Sequence, residues 1–171
     1  MLPTSIQTWV DTFQAPFHLR AVEHSPHELT VRELLSRHPA LVGSEIEALL
    51  WLRIGLIDRA HALVQDASQG APAYIHGMIH RMEGDYWNAN YWFGRCHDLS
   101  NSLPISPLAT DARHGTTEPF SAKAFTQQVE RFLGRHPSEN NRDDREAARL
   151  AQMALAEWTA VWGHLEQELL N

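Results

Sequence analysis

No stretch of this chain reads convincingly as a strand. Its apolar residues recur three and four apart, and turn residues cut them into short runs. That pattern predicts an all-α fold of helical hairpins. A first helix is expected from Thr4 or Ser5 to about Gln14, ending before Pro16. Thr30-Val31-Arg32-Glu33 reads as a capping box for a second, in which the hydroxyl takes one free N–H and the carboxylate reaches back. That helix should stop at His38-Pro39, because the residue before proline avoids the α region. Ser44-Glu45-Ile46-Glu47 opens a third, which Gly55 breaks. The fourth spans 56–67, with Leu56, Ala60, Leu63, Val64 and Ala67 on one face, and Gly70 and Pro72 close that hairpin. The fifth is expected over 74–82, then a tight Gly84-Asp85 turn, then a sixth over 86–95.

The character changes at Leu99. The segment 99–119 has three prolines and no periodicity, and is expected to be an irregular loop that covers a site or moves. Ser121 should cap a seventh helix ending between Gly134 and Pro137. Asn141 with Asp143, Asp144 and Glu146 marks the start of a long C-terminal helix over 141–170. Its buried stripe should comprise Leu150, Ala154, Leu155, Trp158, Val161, Trp162, Leu165 and Leu169.

The 171 residues, 43% of them hydrophobic, fit a single domain with a sizeable core. Fourteen basic residues face 21 acidic ones, a net charge of −7. Such a chain gains little from phosphate contacts, so neither nucleic acid nor a membrane surface is an expected partner. Residues 1–17 carry no positive charge and no continuous apolar run, so no secretion signal is expected there. One cysteine, Cys96, forms no intramolecular disulfide and suits a cytoplasmic location. Eleven histidines are the compositional anomaly. Seven of them, His18, His24, His27, His38, His97, His114 and His136, are scattered and read as solvated.

The middle of the chain carries a repeat. Gly77-Met78-Ile79-His80, Gly84-Asp85-Tyr86 and Ala89-Asn90-Tyr91-Trp92-Phe93 resemble a tetratricopeptide unit, with Gly77, Ala89 and Phe93 at its small and aromatic positions. Gly55, Ala60 and Val64 form a weaker copy, its turn 29 residues before Gly84 against the usual ~34. The resemblance implies a hairpin pair over 44–96 and a peptide-binding interaction module. A second resemblance rests on His76-x3-His80-Arg81-x-Glu83, followed by Asn88 and Tyr91-Trp92-Phe93, with Asp58-x2-His61-x3-Gln65 upstream and 152–158 downstream. These motifs are similar to an uncharacterised family of bacterial and fungal proteins. The likeness implies one constellation of residues but brings no activity with it.

His76 and His80, four apart, lie on one helix face, with Glu83 three further on. His61 lies on the preceding helix, which hairpin stacking brings alongside. These four are the expected metal ligands, for zinc, iron, manganese or nickel. Glu83 and His80 are alternatively a catalytic acid–base pair without metal. Gln65, Arg81, Asn88, Tyr91 and Trp92 are candidate ligand-binding residues, with Arg81 for a carboxylate or phosphate and Asp85 or Asn88 orienting the imidazoles. The functional expectation is therefore an enzyme acting on a small polar molecule in a His/Glu-lined pocket. The rival is a non-catalytic module binding a peptide or protein, and a homo-oligomer is compatible with both. A rival scaffold should spread these side chains along an open face, whereas an enzyme should gather them.

Overall fold

A computed structural model describes residues 2–105, 120–135 and 144–170. Among them no strand is present; the chain is all-helical. In order, the helices are α1 (Thr4–Thr12), α2 (Glu28–Arg37), α3 (Glu45–Arg53), α4 (Ile57–Val64), α5 (Gly70–Glu83), α6 (Tyr86–Arg95), α7 (His97–Ser102), α8 (Ala122–Arg135) and α9 (Asp144–Glu168), with a 3₁₀ turn at Pro39–Leu41. No helix among the described residues is long and apolar enough to cross a membrane.

Several ends form as their local chemistry dictates. Ser44 Oγ accepts from the Glu47 amide at 3.3 Å, and Glu47 reaches back to the Gly43 amide at 2.6 Å. Ser121 Oγ accepts from the Ala124 amide at 3.3 Å at the start of α8. Gly84, at φ +87°, takes the left-handed conformation that ends α5, and the Asp85 amide then donates to the His80 carbonyl at 2.9 Å.

Other ends differ from expectation. α2 starts at Glu28, so Thr30 lies inside the helix and caps nothing. Glu28 anchors that first turn instead, accepting from Arg32 at 2.9 Å and Arg59 at 2.8 Å. α5 starts at Gly70, so Gly70 and Pro72 open a 14-residue helix rather than close a hairpin. Proline is tolerated there because first-turn amides have no helical acceptor anyway. The expected loop also begins later: 99–102 belong to α7, and 106–119 lie outside the described residues. The predicted start at Asn141 lies outside them too.

α3 and α4 form one hairpin, α5 and α6 a second, and α4 packs on α5. α8 follows against α6. α9 lies across α3 and α8, and its Trp158 indole donates to the Leu49 carbonyl at 2.9 Å. Its stripe holds for Leu150, Ala154, Trp158, Val161, Trp162 and Leu165, while Leu155 is partly buried and Leu169 is exposed. Cys96 is buried, which raises its thiol pKa, as expected of a small core residue. Arg53 draws the N-terminal segment onto the core by donating to the Phe13 and Ala15 carbonyls at 3.3 and 2.6 Å.

α5 and α6 approach closely where their residues are smallest. A Cβ added at Gly77 would meet the Phe93 ring at 2.9 Å, and Ala89 is fully buried. Ala89→Leu should therefore cost about 1–3 kcal/mol by overpacking. The denaturation midpoint measures it, and an unshifted midpoint would mean the crossing has room to spare.

Candidate metal centre

The centre sits where α4, α5 and α6 meet. His61 is in the last turn of α4, His76 and His80 are one turn apart on α5, and Asn88 and Trp92 are one turn apart on α6. His76 and His80 are buried, while the His61 side chain is 30% exposed and forms the solvent side.

The three imidazoles converge, with donor nitrogens within 4.8 Å of one another. His76 and His80 stack at 4.6 Å between ring centroids, and His61 stands 4.7 Å from His76 and 5.3 Å from His80. His61 Nε2 and His76 Nε2 are 2.8 Å apart, so one donates its proton to the other's lone pair. His80 Nδ1 donates to Glu83 Oε2 at 2.7 Å. That proton placement leaves His80 Nε2 a lone pair, which accepts from Asn88 Nδ2 at 3.1 Å. Glu83 Oε1 stands 3.6 Å from His61 Nδ1. One carboxylate thus faces the Nδ1 atoms of two imidazoles.

His76 is the most constrained of the three. Its ring lies between the His80 ring and the Trp92 indole, which stacks on it at 4.4 Å. Among the described residues its Nδ1 is buried without a hydrogen-bond partner. Burial, reinforced by the neighbouring His80 and His61, pushes its pKa down to about 4. The ring is therefore neutral near pH 7 and offers a lone pair.

Most of the predicted constellation is assembled here, with changes of role. Glu83 is not in the convergent donor group, where it was expected as a fourth ligand; it faces the Nδ1 atoms of His80 and His61 instead. It is hydrogen-bonded to His80, so the two residues expected as an acid–base pair are in contact. Asn88 touches His80 as an orienting residue should, but Asp85 instead caps α6 by accepting from the Asn88 amide at 3.1 Å. Gln65 is exposed at the end of α4, one turn beyond His61. Tyr91 is 47% exposed and Trp92 partly buried, so the two face different surroundings.

Arg81 departs from expectation. It is buried and paired with Glu157, its guanidinium 4.5 Å from the Phe125 ring centre. It is held by an internal carboxylate and is not free for a substrate's. Glu157 is outside the expected site, although it falls on the α9 stripe between Ala154 and Val161, where an acid is out of place. Three histidines read as solvated also have partners: His18 lies partly buried against Gly55, the His27 ring meets Phe13 edge to face at 4.7 Å, and His38 Nε2 is 2.6 Å from Ser5 Oγ.

The rings fill the seam between the hairpins, packed face to face and edge to face. A space of about 630 Å³ lies elsewhere, between Leu103 and the Ala160–His164 side of α9. No family model, curated protein or solved structure matches this chain, so its function rests on the chemistry of these side chains.

Proposed function

We propose that His61, His76 and His80 bind one divalent first-row transition ion, and that the protein is a metal-dependent enzyme acting on a small polar molecule. The carrying observation is the convergence of three imidazole donors within 4.8 Å, backed by a carboxylate on the far nitrogen of one of them. Zinc, iron, manganese and nickel all accept such a set. A carboxylate behind a ligating imidazole fixes its tautomer and raises its basicity, which is the part Glu83 plays. Two small movements complete the site. Asn88 Nδ2 releases His80 Nε2, and the His61 and His76 nitrogens part from 2.8 Å to about 3.3 Å, the separation of two ligands on a tetrahedral ion. The fourth position, on the solvent side of His61, is left for water or substrate. A bound ion there supplies Lewis acidity, and Asn88, once released, donates a hydrogen bond to what occupies that position.

The gathering of these residues favours an enzyme over an interaction module. The close Gly77–Phe93 approach and buried Ala89 support tetratricopeptide-like hairpins. Yet the surface across α3, α5 and α8, where such a module would take a peptide, is covered by α9: Trp158 bonds to Leu49, and Glu157 to Tyr74 and Arg81. A single thiol, buried and unpaired, suits the reducing cytoplasm.

The test is a zinc or manganese titration of the metal-free protein, followed by calorimetry and by melting at several pH values. One ion per chain is expected. The sign of the pH dependence follows from His76. Its folded pKa is near 4 and its unfolded value near 6.5, so as pH falls through this window the unfolded chain takes up the proton first. The metal-free protein should therefore lose stability from pH 6.5 toward 4. Bound metal should raise the melting temperature at neutral pH, by the equivalent of about 2.7 kcal/mol when free metal is a hundredfold above Kd. That increment should vanish in acid as the imidazoles protonate. An ion that fails to bind, or that binds equally well at pH 4.5, would overturn the proposal.

A further inference from the structure

The imidazole cluster does not end at His76. The Trp92 indole lies on that ring at 4.4 Å, the Tyr91 ring meets Trp92 at 5.5 Å, and the Trp87 ring lies nearly parallel to Tyr91 at 6.2 Å. Partly buried Trp92 leads to Tyr91 at 47% exposure and Trp87 at 79%. Arg95 steadies the middle of the row by donating to the Tyr91 hydroxyl at 3.4 Å. Packing explains Trp92, which covers His76. It does not explain Trp87, a large apolar side chain left almost wholly in water at the far end.

Tryptophan and tyrosine are the side chains most easily oxidised by one electron. Electron tunnelling falls off steeply with distance, so rings in successive contact pass an electron far faster than the same span of aliphatic protein. We infer that Trp92, Tyr91 and Trp87 form an electron path joining a redox-active ion at His61, His76 and His80 to a donor at the surface, so that the centre reduces a peroxide at the expense of an external organic donor. The inference rests on the metal reading above and narrows it. Zinc has no redox chemistry, so of the ions that suit this donor set the path calls for iron, manganese or nickel, and iron is the one tested.

The chemistry balances. A hydroperoxide ROOH meets the ion at the open position, and its O–O bond breaks as it takes up two electrons and two protons, giving ROH and water. Each electron leaves Trp92 for the ion. Trp92 is refilled from Tyr91, whose phenolic proton passes to solvent and returns on re-reduction, and Tyr91 is refilled from Trp87. Trp87 is restored by a donor DH, which becomes the radical D and releases its proton. Two donors are consumed per peroxide, and the two protons they release match the two taken up. The donor never has to enter the cramped seam between the helices, which is the purpose an exposed terminal ring serves.

The test uses the full chain loaded with iron(II) under argon, hydrogen peroxide as oxidant and the dye ABTS, too bulky to reach the imidazoles, as donor. Bound iron is measured first. Steady dye oxidation is expected from the iron-loaded protein and not from His76→Ala. Tyr91→Phe keeps the ring and its packing but removes the oxidisable phenol. It should bind iron as the wild type does and slow dye oxidation about tenfold or more. Trp87→Leu, at an exposed position that cannot disturb the fold, should do the same. Rapid-freeze EPR should show a tyrosyl or tryptophanyl radical in the wild type that changes character in Tyr91→Phe. Iron bound with no dye oxidation, or with oxidation indifferent to both replacements, would overturn the path and leave the metal site standing. No iron bound to the wild type would overturn the path, and if zinc and manganese fail to bind as well the metal site falls with it.

Discussion

Glu157→Ala is expected to destabilise the protein by about 3–5 kcal/mol, the usual cost of removing one member of a buried ion pair. Glu157 is fully buried on α9. It accepts from the Tyr74 hydroxyl at 2.9 Å and from Arg81 Nη1 at 3.2 Å, while Arg81 Nη2 pairs with its second oxygen. The alanine would leave the Arg81 guanidinium, itself buried, between the Phe93 and Phe125 rings with no counter-charge. It would also strip the Tyr74 hydroxyl of its acceptor. That phenol's pKa lies well above the ordinary value, chiefly from burial and then from the Glu157 charge, so it stays a proton donor. Glu157→Gln keeps an acceptor of the same shape and should cost less. The double change Arg81→Met with Glu157→Leu should recover much of the loss, because a buried pair exchanged for apolar residues of similar volume is often neutral. Urea denaturation of the three variants measures this. A Glu157→Ala midpoint close to wild type would show that water reaches the pair.

The same residues show what could and could not be seen in the chain beforehand. α6 was legible to the residue, because Asp85 caps it and Gly84 ends α5, and each of these signals acts within four positions. The convergence of His61, His76 and His80 was legible too, since four-residue spacing and hairpin stacking are consequences of helix geometry alone. Role within the cluster was not. Whether Glu83 joins the donors or stands behind them depends on side-chain torsions set by all the neighbours at once. Glu157 lay furthest from reach. Its partners are 76 and 83 residues earlier in sequence, and an apolar stripe on α9 gives no hint that one acid on it has a buried cation waiting. Thr30 failed for a more local reason: a capping pattern states where a helix can start, and the Glu28 ion pairs to Arg32 and Arg59 fixed an earlier start.

The two faces of α5 give the second large effect a clean control. Tyr74 and Arg81 face α9, whereas His76 and His80 face α4 and α6, so ligand replacements should leave the Glu157 network intact. His76→Leu should lower metal affinity by more than about 100-fold, since even the loss of a residue that merely orients a ligand costs roughly 10–100-fold. Stability of the metal-free protein should move the other way or not at all. His76 is buried with one nitrogen unanswered and stays neutral, so an apolar side chain of similar reach removes a desolvated polar group without breaking a strong bond. The cost is confined to one hydrogen bond with His61, whose own side chain reaches solvent. His80→Leu should lose metal as fully but cost more stability, because it abandons both Glu83 and Asn88. Glu83→Gln separates orientation from ligation. It cannot accept the His80 proton as a charged group, so affinity should fall about 10–100-fold with metal still bound at saturation. A purely structural cluster predicts another order of outcomes: no metal in the wild type, and a gain in stability for His76→Leu with nothing lost. Calorimetric titration beside thermal melting reads both quantities on each variant. Affinity lost while stability is kept marks a site held in place for its ligand.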